Sequence, residues 1–160
     1  MILVLAAVIS GCCCAKVECA ERKAIEMIRS DRAECVIVKD NSIVVVERGR
    51  GVSPLLKIYD NHRKEMSGAA VVDKVIGRAA AFIVIAGNST SVYGKIMSED
   101  ALELLKKHNI SAKYDLLVPK ILNQKRDGLC PLEDSVKNDS DPAKALKSMR
   151  KRISELRKRR

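Results

Sequence analysis

The sequence contains very few aromatic side chains, with one Phe, three Tyr and no Trp among 160 residues. A surface that stacks single-stranded nucleic acid needs several exposed rings, so this composition argues against one. The sequence also lacks a glycine-rich dinucleotide fingerprint, a phosphate loop ending in Gly-Lys-Ser/Thr and a His-Glu-x-x-His zinc motif. The chain therefore carries none of these motif-defined sites.

Cysteine is present, but its spacing fits neither a disulfide framework nor a zinc site. Four of the six cysteines crowd positions 12–19, and the other two are Cys35 and Cys130. No second pair of Cys or His stands at zinc-site spacing to complete the N-terminal group. We therefore predict a cytoplasmic protein with neither a metal nor a cofactor.

The N-terminus is an apolar run that ends in Ser10, Gly11 and Cys12, which resembles a bacterial lipoprotein cleavage box. No basic residue precedes this run, and it is short for the core of a signal peptide. It is also too short to cross a bilayer, which takes roughly 20 residues. Two interpretations stay open: a lipoprotein signal, or an extension over residues 1–17 that precedes the domain.

Charge is unevenly distributed along the chain. The formal net charge is +10, but residues 141–160 contain nine Lys or Arg against two acids. We predict one domain over residues 18–140, followed by a basic C-terminal helix over 141–160. The tail from Met149 to Arg160 could bind nucleic acid non-specifically, or it could be a solvated helix end.

Hydrophobic periodicity predicts an α/β fold. Two β-branched runs around Asp40 and Asn41 indicate an antiparallel hairpin, and an apolar segment over 73–86 indicates a buried helix. Strand–helix–strand units imply partly parallel pairing. We predict a three-layer α-β-α architecture with a mixed sheet of about four strands. The predicted helices span 18–29, 54–59, 73–86, 98–108 and a short turn after Cys130, and the predicted strands span 35–38, 43–46, 91–97 and 110–117.

Several short motifs resemble, in order, an uncharacterised prokaryotic domain-of-unknown-function family. They are Gly51-Val52-Ser53-Pro54-Leu55-Leu56, Gly68-Ala69, Asp73-Lys74-Val75-Ile76-Gly77-Arg78, Ser98-Glu99, Val118-Pro119, Ile121-Leu122-Asn123 and Cys130-Pro131-Leu132-Glu133. The resemblance covers roughly residues 20–154 and implies a cytidine-deaminase-like fold with no established reaction. Because deaminase-like domains often associate, it also implies a homodimer.

The zinc ligands of such a fold are missing from this sequence. A zinc deaminase needs His or Cys with Glu at the start of its central helix, and Pro-Cys-x-x-Cys at the next helix. The predicted helices open with Asp73-Lys74 and with Ser98-Glu99, which supply neither thiol nor imidazole. We therefore do not expect zinc-dependent deamination.

The resemblance would bring the starts of these two helices together at one edge of the sheet. Asp73 and Lys74 are candidate catalytic residues there, with Lys74 as a phosphate contact or a base, and Ser98 and Glu99 are candidate ligand contacts. In the alternative interpretation Asp73 caps its helix and Lys74 pairs with Glu99.

A second candidate group follows the last strand. Cys130 precedes Pro131 at a helix start, where the helix dipole favours a thiolate nucleophile. Glu133 could cap that turn or act as a base, and Asn123 lies in the polar loop before it. The alternative for Cys130 is a small buried residue at a capped turn. His62 and His108 fall in polar segments and are expected at the surface.

The sequence thus supports two functions. The first is binding of a nucleoside, nucleotide or nucleotide-sugar, with metal-independent catalysis by Asp73, Lys74 or Cys130 left open. The second is a non-catalytic regulatory module that binds nucleic acid through its basic tail.

Overall fold

The structure is a computed structural model, and it describes residues 14–158. The predicted apolar extension lies outside the described residues as far as residue 13. The described residues form seven helices and five strands in the order α1 (Cys14–Arg29), β1 (Cys35–Lys39), β2 (Ser42–Glu47), α2 (Ser53–Asn61), α3 (Arg63–Met66), β3 (Ala70–Ile76), α4 (Arg78–Ala86), β4 (Ser91–Ser98), α5 (Glu99–Lys107), β5 (Ser111–Val118), α6 (Pro131–Val136) and α7 (Pro142–Lys158). Within residues 14–158, no helix is long and apolar enough to cross a membrane.

The five strands form one mixed sheet in the order β2-β1-β3-β4-β5. β1 is antiparallel to both β2 and β3, whereas β3, β4 and β5 are parallel to one another. The predicted mixed α/β sheet is confirmed, but it has five strands rather than about four. The additional strand is β3, which lies where the sequence predicts the start of a long helix.

The prediction of a single helix over residues 73–86 is wrong in its first part. Residues 70–76 form β3, and α4 begins only at Arg78, after Gly77. Both pieces are largely buried, and hydrophobic periodicity does not distinguish a buried strand from a buried helix over a short segment. The β-branched residues of β3 prefer an extended backbone, and Gly77 separates them from the alanine-rich start of α4.

β1 and β2 form the predicted hairpin around Asp40 and Asn41. Both residues have positive φ angles, 48° and 59°, as a two-residue type I′ turn requires. The register shifts between Ile37 and Val38 of β1, which pair with Val45 and Ile43. This bulge leaves one extra residue on β2 and interrupts the regular edge of that strand.

Helices cover both faces of the sheet, which confirms the predicted three-layer architecture. On one face, Ala24 and Ile28 of α1 pack with Val36, Val72 and Tyr93 from the sheet. The other face carries the larger core, which includes Phe82 of α4 together with residues of α2, α5, α6 and α7.

The basic helix α7 is packed onto the domain. Its residues Ala145, Leu146 and Met149 are buried in the same core as α4. Asp141 caps the helix, because its Oδ1 accepts a hydrogen bond from the backbone N of Lys144 at 2.8 Å. The first half of α7 therefore contributes buried residues to the core, whereas exposed cations lie along the whole helix.

Candidate functional site at the carboxyl ends of the parallel strands

The carboxyl ends of β3, β4 and β5 lie side by side at one edge of the sheet. Ile76 of β3 pairs with Met97 of β4, and Ser98 pairs with Val118 of β5. α4 and α5 begin directly after the first two of these ends. Ligands of open α/β sheets commonly bind at such an edge.

The start of α4 is closed by the carboxylate of Glu133, which comes from α6. The backbone N of Arg78 donates to Glu133 Oε2 at 2.8 Å, and that of Ala79 donates to Oε1 at 3.0 Å. A Cβ added at Gly77 would lie 2.5 Å from Oε1, so only glycine leaves room for this carboxylate. The carboxylate of Glu133 thus provides the negative charge that the dipole of α4 favours at its N-terminus.

Burial raises the pKa of Glu133 above its usual value, while its two backbone hydrogen bonds act in the opposite direction. The nearby carboxylate of Asp100 also raises that pKa. The sequence suggested that Glu133 caps its own turn or acts as a base. Rather than its own turn, it caps a helix that begins 55 residues earlier in the chain, and its role as a base stays a prediction.

Ser98 caps α5 and is almost fully buried. Its Oγ accepts a hydrogen bond from the backbone N of Ala101 at 3.2 Å, as expected of an N-cap serine. The next residue, Glu99, is exposed in the first turn of α5. The predicted cap is therefore present, and no contact of Glu99 with Lys74 accompanies it.

Asp73 lies inside β3 and not at a helix start. It is 5% exposed, it stands opposite Cys35 of β1, and its Oδ1 accepts from the backbone N of Val75 at 3.0 Å. Burial raises the pKa of Asp73 to about 7. Its neighbour on β4 is Gly94, four residues before Ser98, so the predicted grouping of Asp73 with Ser98 and Glu99 is wrong.

Lys74 faces the α1 side of the sheet. Its Nζ lies 2.8 Å from Asp31 Oδ1 and 3.2 Å from Glu34 Oε1. Hydrogen bonds to Asp31 and then to Glu34 raise the pKa of Lys74, which works against a role as a general base. The predicted pairing of Lys74 with Glu99 is also wrong, because its ammonium pairs with Asp31 and Glu34 instead.

Cys130 and Asn123 lie on the segment between β5 and α6. Cys130 is half-buried at the N-cap of α6, and its backbone N donates to Ile121 O at 3.0 Å. Asn123 Nδ2 donates to Asp127 Oδ1 at 2.7 Å, whereas its own Oδ1 is buried without a partner. These contacts fold the predicted irregular loop into a small hairpin closed by a Leu122–Leu129 bridge.

A cavity of about 320 Å³ lies beside Arg78, between α4, α5 and the α6–α7 connection. Its lining residues are Arg78, Glu103, Leu104, Lys107, His108 and Ser140. No local sequence pattern points to this group, because its members come from three separate segments of the chain. One signal was available: Arg78 is the only charged residue of α4, whose sequence is otherwise apolar.

Arg78 is held in place by the segment after α6. Its Nε donates to Val136 O at 3.2 Å and its Nη2 to Asp139 O at 2.7 Å. The guanidinium also lies over the ring of Phe82, at 5.3 Å from the centroid. The side chain is therefore oriented before any ligand arrives.

Among the described residues, no three His, Cys, Asp or Glu side chains are grouped closely enough to hold a metal ion. α4 opens with Arg78 and Ala79, and α5 opens with Glu99 and Asp100. Neither start offers the His or Cys ligands of a zinc deaminase.

Comparison with protein families identifies the chain. Residues 23–153 match the family described as TM1506, domain of unknown function (DUF1893). The chain belongs to the DUF1893 family. This DUF1893 chain is also similar to a solved DUF1893 family protein, TM1506 from Thermotoga maritima, with a TM-score of 0.73 and 21% identity over 86% of this chain and 90% of that one. The predicted family resemblance is confirmed.

Two longer proteins match this DUF1893 chain over part of their length. RibD from Acinetobacter baumannii matches with a TM-score of 0.45 and 15% identity, over 62% of this chain and 35% of that one. A diaminohydroxyphosphoribosylaminopyrimidine deaminase/5-amino-6-(5-phosphoribosylamino)uracil reductase from Thermotoga maritima matches with a TM-score of 0.46 and 15% identity, over 76% and 41%. No curated protein matches the chain.

Proposed function

We propose that this chain binds a nucleoside, nucleotide or nucleotide-sugar without a metal ion, and that the phosphorylated members of this class fit its site best. The observation that supports this proposal is the cavity of about 320 Å³ beside Arg78. Its volume lies within the range of small-molecule sites. Arg78 and Lys107 supply cations there, His108 adds an imidazole, and Glu103 is the single acid.

The lining side chains suit different parts of such a ligand. Arg78 uses two N–H groups on backbone carbonyls, and a guanidinium has five, so donors are left for a phosphate. Lys107 adds an exposed ammonium from α5. Glu103 and Ser140 offer oxygen atoms for sugar hydroxyls.

Glu133 has a positioning role in this proposal. Its carboxylate already accepts hydrogen bonds from the first two amides of α4, so a ligand phosphate is not expected at that helix start. Instead, Glu133 fixes the backbone of Arg78, whose side chain extends into the cavity.

Catalysis in this cavity would have to use Glu103 and His108 as its acid and base groups. The candidates Asp73, Lys74 and Cys130 do not line it. We therefore propose a binding function, and loss of the ligand on prolonged incubation would extend the proposal to metal-independent catalysis.

Calorimetric titration with AMP, ADP and ADP-ribose, in the presence of a metal chelator, tests the binding proposal. We expect Lys107→Gln to weaken binding by about tenfold, the usual effect of losing one charge-assisted hydrogen bond. The matched control is Lys106→Gln, because Lys106 is also exposed on the same helix but does not line the cavity. Equal affinities for both variants, or no binding by the wild type, would contradict the proposal.

A second candidate function is binding of nucleic acid through the outer half of α7, within the stretch from Met149 to Arg160. A groove of about 470 Å³ runs between α2 and α7. It is lined by Leu56, Asp60, Arg150, Ile153, Ser154, Arg157 and Lys158. Its cations outnumber its single acid, as a backbone-binding surface requires.

Fluorescence anisotropy with a labelled single-stranded RNA, measured over a salt series, tests this second function. The double variant R157Q/K158Q should weaken binding and make its salt slope shallower by about 1.4, because two phosphate contacts are lost and each contributes about 0.7 on a single strand. K144Q/K147Q removes the same charge at the other end of α7 and should change binding less. Salt-independent binding, or equal loss in both variants, would count against this surface.

We also propose a cytoplasmic location. Cys35 and Cys130 are both free thiols, which is the usual state in a reducing compartment.

A further inference from the structure

Strand β5 forms one edge of the sheet, and much of it is open to solvent. Tyr114 and Leu116 are 41% and 53% exposed, and within the described residues β5 pairs only with β4. An open edge strand with apolar side chains is a template for pairing with another strand. We infer that β5 pairs antiparallel with β5 of a second copy of this chain, independently of the proposed ligand.

The other edge strand is less suited to this pairing. β2 also exposes two apolar residues, Val44 and Val46, at 43% each. However, the bulge opposite Ile37 and Val38 disrupts its regular hydrogen-bonding edge. β5 has eight residues without proline, and seven of them pair with β4 without a register shift.

The sequence of β5 favours a two-fold pair centred on Tyr114 over the two neighbouring registers. In such a pair, residues that lie directly opposite each other have their side chains on the same face of the sheet. Because side chains alternate between the faces, the two-fold axis must pass beside one residue that pairs with its own copy, and not between two residues. Centred on Tyr114, the pairing sets Lys113 opposite Asp115 of the partner subunit, twice. Centred on Lys113 or on Asp115, it sets two like charges directly opposite each other, which is unfavourable.

The charged residues of this register are already oriented within one chain. Lys113 Nζ lies 3.1 Å from Glu21 Oε1, and Arg29 Nε donates to Asp115 Oδ2 at 2.8 Å. Tyr93 Oη donates to the same oxygen. Because these side chains are already ordered within one chain, association costs less side-chain conformational entropy.

The opposite face of β5 supplies the apolar part of the contact. The Tyr114-centred register stacks Tyr114 against the partner's Tyr114 and sets Leu116 opposite Ala112 of the partner subunit. Aromatic and aliphatic cross-strand pairs stabilise sheets. The product is one continuous ten-stranded sheet in which neither copy leaves β5 exposed.

Light scattering during size-exclusion chromatography tests the pairing. Wild type should have twice the mass of one chain, and Leu116→Lys should weaken the dimer at least about tenfold, since the two-fold axis introduces the charge twice. Val46→Lys is the matched control, as an apolar residue of similar exposure on the other edge strand, and should remain dimeric. A monomeric wild type, or a dimer lost only with Val46→Lys, would overturn the inference.

Disulfide formation tests the register. Tyr114→Cys places two thiols opposite each other across the axis, within the Cα separation that a disulfide spans. It should form a covalent dimer on mild oxidation, above the background of wild type. Lys113→Cys, which faces Asp115 of the partner subunit, should not. A stronger cross-link at position 113 than at 114 would exclude this register.

Discussion

At the scale of single residues, Asp73 couples the stability of the fold to pH. Its folded pKa of about 7 lies above the usual value of 3.8, so the folded state holds the proton more tightly than the unfolded state. Stability should therefore fall as the pH rises from about 4 to about 7, and level off above that range. Urea unfolding across this range should show the decline.

The substitution Asp73→Asn removes this ionisation while keeping an oxygen for the backbone N of Val75. We expect it to stabilise the protein at pH 8 by on the order of a few kcal/mol, and much less at pH 4.5. Asp134→Asn changes an exposed carboxylate that pairs with Lys137 and serves as the control. The same gain at both pH values would show that ionisation of Asp73 is not its cause.

Glu133 is the second residue with a definite prediction. Glu133→Ala leaves the backbone N–H groups of Arg78 and Ala79 without their acceptor, which should cost about 2–4 kcal/mol of unfolding free energy. Glu133→Gln should cost less, because its single carbonyl oxygen can still accept. Glu99→Gln, at an exposed position of α5, should change little in the same denaturation measurement.

At the scale of elements, the junction of β3 and α4 depends on the missing side chain of Gly77. Its φ of −95° is open to any residue, so Gly77→Ala should act only through the carboxylate of Glu133 that its Cβ would meet. We expect a loss of about 1–3 kcal/mol that largely disappears when Glu133 is already Ala. A double-mutant cycle measures this coupling.

Gly128→Ala is the control for that cycle, since its Cβ would meet only Asn123 Nδ2 at 3.6 Å. It should be neutral in both backgrounds. If the cost of Gly77→Ala were the same with and without Glu133, the helix start would not depend on this contact.

At the scale of the whole molecule, α7 closes the core with its first half only. A chain that stops after Arg152 keeps Ala145, Leu146 and Met149 and should retain its cooperative thermal transition. A chain that stops after Ser140 loses these buried residues and should lose the transition, because α4 would then expose an apolar surface. Circular dichroism melts distinguish the two, and equal melting of both chains would contradict this role of α7.

Local signals predicted most of the elements but little of the site. Asp40 and Asn41 correctly predicted the hairpin, and Ser98 and Pro131 correctly predicted the starts of α5 and α6. Each of these residues determines the backbone conformation only of its near neighbours in sequence. The β3–α4 boundary was mispredicted because both elements are largely buried on all sides, so the sequence shows no alternation of apolar and polar residues that would distinguish a strand from a helix. Glu133 meets Arg78 across 55 residues of sequence, and no local pattern encodes such a contact.

The late position of α7 in the chain has a consequence during synthesis. Roughly 60 residues separate the end of α4 from Met149, which corresponds to about 3–12 s of translation. Throughout that interval, the apolar surface of α4 in the nascent chain is not yet covered by α7. Chaperones recognise exposed apolar surfaces of this kind. We therefore expect chaperones to remain bound to the nascent chain until α7 emerges from the ribosome.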